Sequence, residues 1–241
     1  IPTFYADFKA MQAGDPNYKS TTRDVRKLVE KLKDQGVDGI VMDLRNNGGG
    51  ALHEANDLVG LFIEKGPTVQ IRNANNDVQV LQDEDPSVTY DGPLVVLVNG
   101  GSASASEIVA GALQDQERAI VVGNRTFGKG SVQTVLPLSK DRALKLTTAR
   151  YYTPKGRSIQ AEGIEPDIAV DVVTKIEVRE DMHLREADLP RHLDNENGDS
   201  EKEKKRSSLA EDDYPLAQAL SILKGVVLTQ RPAHASLPDQ P

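Results

Sequence analysis

Five consecutive residues without a polar side-chain atom, Leu94-Val95-Val96-Leu97-Val98, constrain this chain more than any other stretch. A strand that met water on one face would alternate apolar with polar residues. An all-apolar run introduced by Gly92-Pro93 therefore reads as a strand covered on both faces. Gly39 to Leu44 and Ala119 to Val122 read as further buried strands. Helical periodicity lies between them. Ser20 or Thr21 caps a helix carrying Val25, Leu28, Val29 and Leu32 on one face and closed by Gly36; a second runs from about Glu54 to Ile63, and a third from Ser104 to Leu113. Short apolar strands alternating with helices imply βαβ units, and so an α/β fold with a mostly parallel sheet. Val132 to Leu138 and Ala143 to Thr148 read as a hairpin over Ser139-Lys140-Asp141.

Charge separates this core from the C-terminal part of the chain. The 241 residues carry 29 bases and 37 acids, a net charge of −8, which argues against binding a nucleic-acid backbone, since that needs clustered Lys and Arg. Half of the net charge lies in residues 192–213, where eight acids face four bases with no aromatic residue. Such a stretch cannot bury enough apolar surface to offset its ordering entropy and reads as a linker. Beyond it, Asp213 caps a helix with Pro215 in the first turn, apolar Leu216, Leu220 and Leu223, and Gly225 at its end. Assembly and core packing both fit that helix. The absence of cysteine excludes disulfides, thiolate catalysis and zinc sites built on sulfur. No run reaches the ~18 apolar residues of a membrane span. The chain opens on Ile1-Pro2-Thr3 with neither Met nor a signal peptide, as a processed or truncated piece would.

Chemistry concentrates where the apolar strands end. Leu94 to Val98 runs into Asn99-Gly100-Gly101-Ser102-Ala103-Ser104-Ala105-Ser106-Glu107, a tight turn of small residues that opens a helix. A serine lifted to the C-terminal edge of a parallel sheet, beside free helix N–H groups, is placed to act as a nucleophile. The same residues also read as a capping box, Ser104 and Glu107 standing at S-x-x-E spacing. Ser102, Ser104 and Ser106 remain alternatives at this level. For a base, His183, His192 and His234 lie toward the tail, which leaves His53. Lysine is the other option: Lys129, flanked by Gly128 and Gly130, can serve if apolar burial makes its amine neutral. Gly123 to Gly130 also matches G-x-x-x-x-G-K, a phosphate loop. However, Gly130 stands where a hydroxyl should hold magnesium, and Val132-Gln133-Thr134-Val135, three of them β-branched, come next where a helix is required. Asp43-Leu44-Arg45-Asn46-Asn47-Gly48-Gly49-Gly50 ends a strand in three glycines, which leaves backbone N–H groups unobstructed for an oxyanion.

Taken together, these blocks and Tyr152 to Gln160 with Gly163 to Asp167 resemble the carboxy-terminal processing peptidases, or tail-specific proteases, in composition and order. The resemblance covers roughly residues 1–172, leaving a connecting segment at 173–191, the acidic linker at 192–213, and a C-terminal helix and tail at 214–241. It implies a crotonase-like core and a Ser-Lys catalytic pair, with the lysine 25 residues after the serine and a glutamine four further on; this selects Ser104, Lys129 and Gln133. Glu107 matches an acid that some members place near the site. The oxyanion would meet the N–H of Ala105 and one from Gly49 or Gly50. The family resemblance further implies protein or peptide substrates with exposed C-terminal tails and no metal or cofactor. A periplasmic setting, homo-oligomers built through terminal helices, and lipoprotein adaptors belong to the same expectation. Two departures stand out: Gly48 replaces the family's usual proline before the paired glycines, and no counterpart of the family's PDZ domain precedes Ile1. The alternatives are a non-catalytic peptide-binding scaffold of the same fold and a nucleotide hydrolase.

Overall fold

The computed structural model describes residues 1–139, 142–171 and 209–230. In chain order the elements are α1 (Phe8–Gln12), α2 (Thr21–Asp34), β1 (Ile40–Asp43), α3 (Leu52–Val59), β2 (Gly66–Asn73), β3 (Val78–Asp83), β4 (Leu94–Val98), α4 (Ala105–Asp115), β5 (Ile120–Gly123), β6 (Ser131–Ser139), β7 (Arg142–Tyr152), β8 (Ile168–Ala169), α5 (Leu209–Asp212) and α6 (Tyr214–Gln230). The expected connecting segment at 173–191, most of the acidic linker, three of the four histidines and the tail beyond Gln230 lie outside the described residues.

The all-apolar strand sits where its composition requires. β4 pairs in parallel with β1 on one side and β5 on the other, and β8 completes the sheet in the order β1-β4-β5-β8. Alternate β4 side chains point to opposite faces. Leu94, Val96 and Val98 join the main core with Leu58 of α3 and Ile108 and Val109 of α4. Val95 and Leu97 join Val122, Val170 and, from α6, Ala219 and Leu223. Both faces are covered, so no β4 position needs a polar side chain.

A second four-stranded sheet, β3-β2-β7-β6, is antiparallel throughout. The mostly parallel sheet expected from the sequence therefore accounts for four of the eight strands among the described residues. The β6–β7 hairpin was legible from alternation; β2 and β3 were not, because their residues form a sheet of mixed exposure with little apolar periodicity. The helix expected from Glu54 to Ile63 spans Leu52–Val59, with Leu61 and Phe62 buried in the turn after it. Ser20 is the N-cap of α2, its hydroxyl accepting from the Arg23 N–H. Leu28, expected on that helix's apolar face, is exposed.

Within the expected linker, Leu209–Asp212 forms α5, and Asp213 caps α6, accepting from the Leu216 N–H at 3.1 Å. α6 passes through Gly225 without ending there. A mid-helix glycine costs only about 1 kcal/mol, and contacts with the sheet offset it. The helix is also fastened at its start: Arg45, just past β1, makes two hydrogen bonds to the Asp213 carboxylate, at 2.8 and 2.7 Å.

Candidate active site

Because β1, β4 and β5 run parallel, the loops at their C-terminal ends leave the same edge of the sheet next to one another. The β4–α4 loop carries Ser104 at φ +58° and ψ −114°, a conformation nearly closed to residues with a Cβ. The chain reverses there from strand into helix within a few residues, and the serine side chain is set at the head of α4. Ser104 and Glu107 form a capping box: the Ser104 hydroxyl faces the Glu107 N–H, and the Glu107 carboxylate accepts from the Ser104 N–H at 2.8 Å. The Glu107 N–H also bonds to the Ser104 carbonyl, at 2.9 Å.

Hydrogen bonding also separates the three serines. Ser102 Oγ donates to the Leu44 carbonyl at 2.8 Å and accepts from the Asn99 N–H at 3.0 Å. Ser106 Oγ donates to the Asn47 carbonyl at 2.7 Å. Both are buried and tie this turn to the glycine loop after β1. Ser104 is half-buried, and among the described residues its hydroxyl bonds to neither the glycine loop nor the lysine loop.

Glu107, fully buried, joins the serine turn to the lysine loop. One carboxylate oxygen accepts from the Ser104 N–H and the Lys129 N–H, each at 2.8 Å; the other accepts from the Gly128 N–H and Thr126 Oγ1, each at 2.6 Å. Four donors on two oxygens are what a buried carboxylate needs to offset its desolvation. Thr126 also accepts from the Ile164 N–H at 2.7 Å, and the Ala161 N–H donates to the Gly128 carbonyl at 2.9 Å. The segment containing Gly163 to Asp167 thus braces the lysine loop from behind.

The Lys129 backbone is fixed by these bonds, but its side chain is exposed, as is that of Gln133 two residues into β6. The apolar burial expected around the lysine amine is absent from this arrangement. Among the described residues, no hydrogen bond joins Lys129 Nζ to Ser104 Oγ. His53 lies at the start of α3, one-third exposed, edge-on to the Phe8 ring and 3.6 Å from Glu54; no bond brings it to Ser104. The phosphate-loop alternative lacks its structural requirement, since Gly130 opens strand β6 rather than a helix.

Asn47, Gly49 and Gly50 bring the third loop to the site. A Cβ added at Gly49 would lie 2.8 Å from Ser104 Cβ and 3.0 Å from the Ala105 nitrogen, so only glycine allows this approach. The Gly49 N–H donates to Asn47 Oδ1 at 2.9 Å. Among the described residues, the N–H groups of Gly50 and Ala105 donate to no partner. Sequence reasoning missed Asn47, Thr126 and the two tying serines. The signal was the alternation Ser102-Ala103-Ser104-Ala105-Ser106, in which the outer pair anchors the turn.

Comparison with known proteins gives a consistent picture. The model of peptidase family S41 matches residues 2–170. A carboxy-terminal-processing protease of Bartonella bacilliformis is 39% identical over 97% of this chain and 54% of its own length. A tail-specific protease of Haemophilus influenzae is 45% identical over 63% of this chain and 23% of its own length. The chain thus spans about half or less of these curated relatives. Among solved structures, the photosystem II D1 C-terminal processing protease aligns with a TM-score of 0.62 at 38% identity, covering 71% of this chain and 41% of that one. Mature CPAF, with a TM-score of 0.56 at 17% identity over 70% of this chain and 45% of that one, shares the fold.

Proposed function

The chain belongs to peptidase family S41, and from that premise we propose that it is the catalytic part of a serine endopeptidase working on exposed or unfolded C-terminal tails in the bacterial envelope, with a crotonase-like core. The observation that carries this reading is Ser104: a strained, half-buried residue at a helix head, its hydroxyl turned to the head of its own helix while those of Ser102 and Ser106 are tied to the segment after β1. In the proposed reaction, Ser104 Oγ attacks the peptide carbonyl while neutral Lys129 takes its proton. The C–N bond breaks, the lysine returns the proton to the leaving amine, and water then releases the acyl group by the same route. Gln133 orients the amine. Ala105 N–H and Gly50 N–H receive the oxyanion, since the Gly49 N–H is held by Asn47.

Exposure of Lys129 is compatible with this role if the substrate supplies the missing cover: an apolar segment lying across the loop strips water from the amine and favours its neutral form. Glu107 positions both catalytic groups from below. The same exposure is what the rival reading, a peptide-binding scaffold without catalysis, has in its favour. Substrates, a periplasmic location, homo-oligomers and a lipoprotein adaptor belong to the proposal as well.

The test is cleavage of a loosely folded protein, together with labelling by a fluorophosphonate probe. Ser104→Ala and Lys129→Ala should each reduce turnover at least about a thousandfold with the melting temperature retained. Normal turnover in Lys129→Ala alongside its loss in His53→Ala would replace the lysine by the histidine. A folded wild-type chain that neither labels nor cleaves would favour the scaffold.

A further inference from the structure

Asn47 is fully buried, at 0% exposure, although asparagine is mostly a surface residue. Every polar atom it has is engaged. Its Oδ1 accepts from the Gly49 N–H at 2.9 Å, and its Nδ2 donates to the Ile1 carbonyl at 2.9 Å. Its carbonyl accepts from the Ala103 N–H at 2.9 Å and from Ser106 Oγ at 2.7 Å, and its N–H donates to the Leu44 carbonyl at 3.2 Å. One residue therefore touches the end of β1, the glycine loop, the serine turn and the N-terminal segment.

Gly49 receives the effect. Its N–H is held by Asn47, and its carbonyl accepts from the Phe4 N–H at 3.0 Å and from Thr3 Oγ1 at 2.8 Å. The Ala51 N–H closes the arrangement on the Phe4 carbonyl at 2.8 Å. Three successive glycines have the largest backbone freedom any sequence offers, yet this loop is pinned on both sides of its middle residue. The pinned residue is the one whose bare Cα abuts Ser104.

We propose that Asn47 is a positioning residue of the peptidase: acting through Gly49 and the Ile1–Phe4 segment, it fixes the Gly50 N–H in register with Ser104 as an oxyanion donor. This rests on the serine-peptidase reading above. The two side-chain bonds have separable roles. Oδ1 shapes the turn locally, and Nδ2 makes the turn depend on the N-terminal segment lying in place.

Loss of one oxyanion donor typically lowers kcat by 10² to 10³. Asn47→Ala should therefore lower kcat about a hundredfold with KM within about threefold, and should slow fluorophosphonate labelling of Ser104 in parallel. Asn47→Asp keeps the acceptor for Gly49 but sets a buried carboxylate oxygen against the Ile1 carbonyl, so its kcat should fall at least as far as that of Asn47→Ala. Thr3→Val, at an exposed position, should show a smaller kcat loss in the same direction and covers the case in which Asn47→Ala fails to fold. Amide hydrogen exchange should show Gly49 protected in wild type and unprotected in Asn47→Ala. A kcat within threefold of wild type in both Asn47 variants, or equal Gly49 exchange in wild type and variant, overturns the inference. A wild-type chain that neither cleaves nor labels overturns the peptidase reading instead, and Gly49 exchange then still decides whether Asn47 holds the loop.

Discussion

At φ +58° and ψ −114°, Ser104 holds a conformation that costs a residue with a Cβ about 1–3 kcal/mol. Glycine has no such cost, although it loses about 0.5–1 kcal/mol to backbone entropy. Ser104→Gly should therefore be more stable than Ser104→Ala by about 1 kcal/mol, read as a melting temperature some 2–4 °C higher, while both lack activity. Equal melting temperatures would mean that the turn is unstrained. The identity of the candidate nucleophile was legible at this scale only through family resemblance. Composition and spacing left Ser102, Ser104 and Ser106 open, because a hydroxyl's partners are set by chain segments far away in sequence: Leu44 for Ser102 and Asn47 for Ser106. Glu107 shows the same thing. As one half of S-x-x-E it reads as a capping residue, yet three of its four donors come from Thr126, Gly128 and Lys129.

Elements meet at the site through charged links as well. Arg45 grips both Asp43 and Asp213, and so connects the start of the glycine loop to the N-cap of α6. The Arg45 guanidinium, by hydrogen bonding first of all, holds the Asp213 carboxyl below its usual range. A carboxyl depressed in the folded state adds stability above its unfolded pKa of about 3.9 and loses it as pH falls through the lower folded value. The stability advantage of wild type over Asp213→Asn, measured by urea denaturation, should be full at pH 6 and shrink steadily below about pH 4. An advantage that grows on acidification would contradict the link. The cap itself was readable from Asp213 and Pro215. Gly225 was misleading as a stop signal, because propensity is outweighed once Ala219 and Leu223 lie on the sheet. Leu223 fits there because Gly39 is bare: a Cβ at that position would come within 2.7 Å of the leucine.

For the molecule as a whole, α6 decides whether the parallel sheet has one covered face or two. Val95, Leu97 and Val122 are fully buried beneath it. Uncovering three such side chains costs on the order of 5 kcal/mol, a large part of the 5–15 kcal/mol that holds a typical domain folded. A chain ending at Asp171 should bind an apolar dye and melt about 10–20 °C lower; unchanged melting would show that the face needs no cover. Sequence by itself determined the parallel core, since a run such as Leu94 to Val98 can be satisfied only between two apolar layers, and it determined the order of the glycine, serine and lysine loops along the chain. Tertiary structure alone decided what covers the far face, which serine hydroxyls are tied to the segment after β1, and that Asn47 and Glu107 join loops from different strands. Periodicity and propensity act over a few residues, whereas these features are hydrogen bonds and contacts between segments tens of residues apart, brought together only when parallel strands align their C-terminal ends.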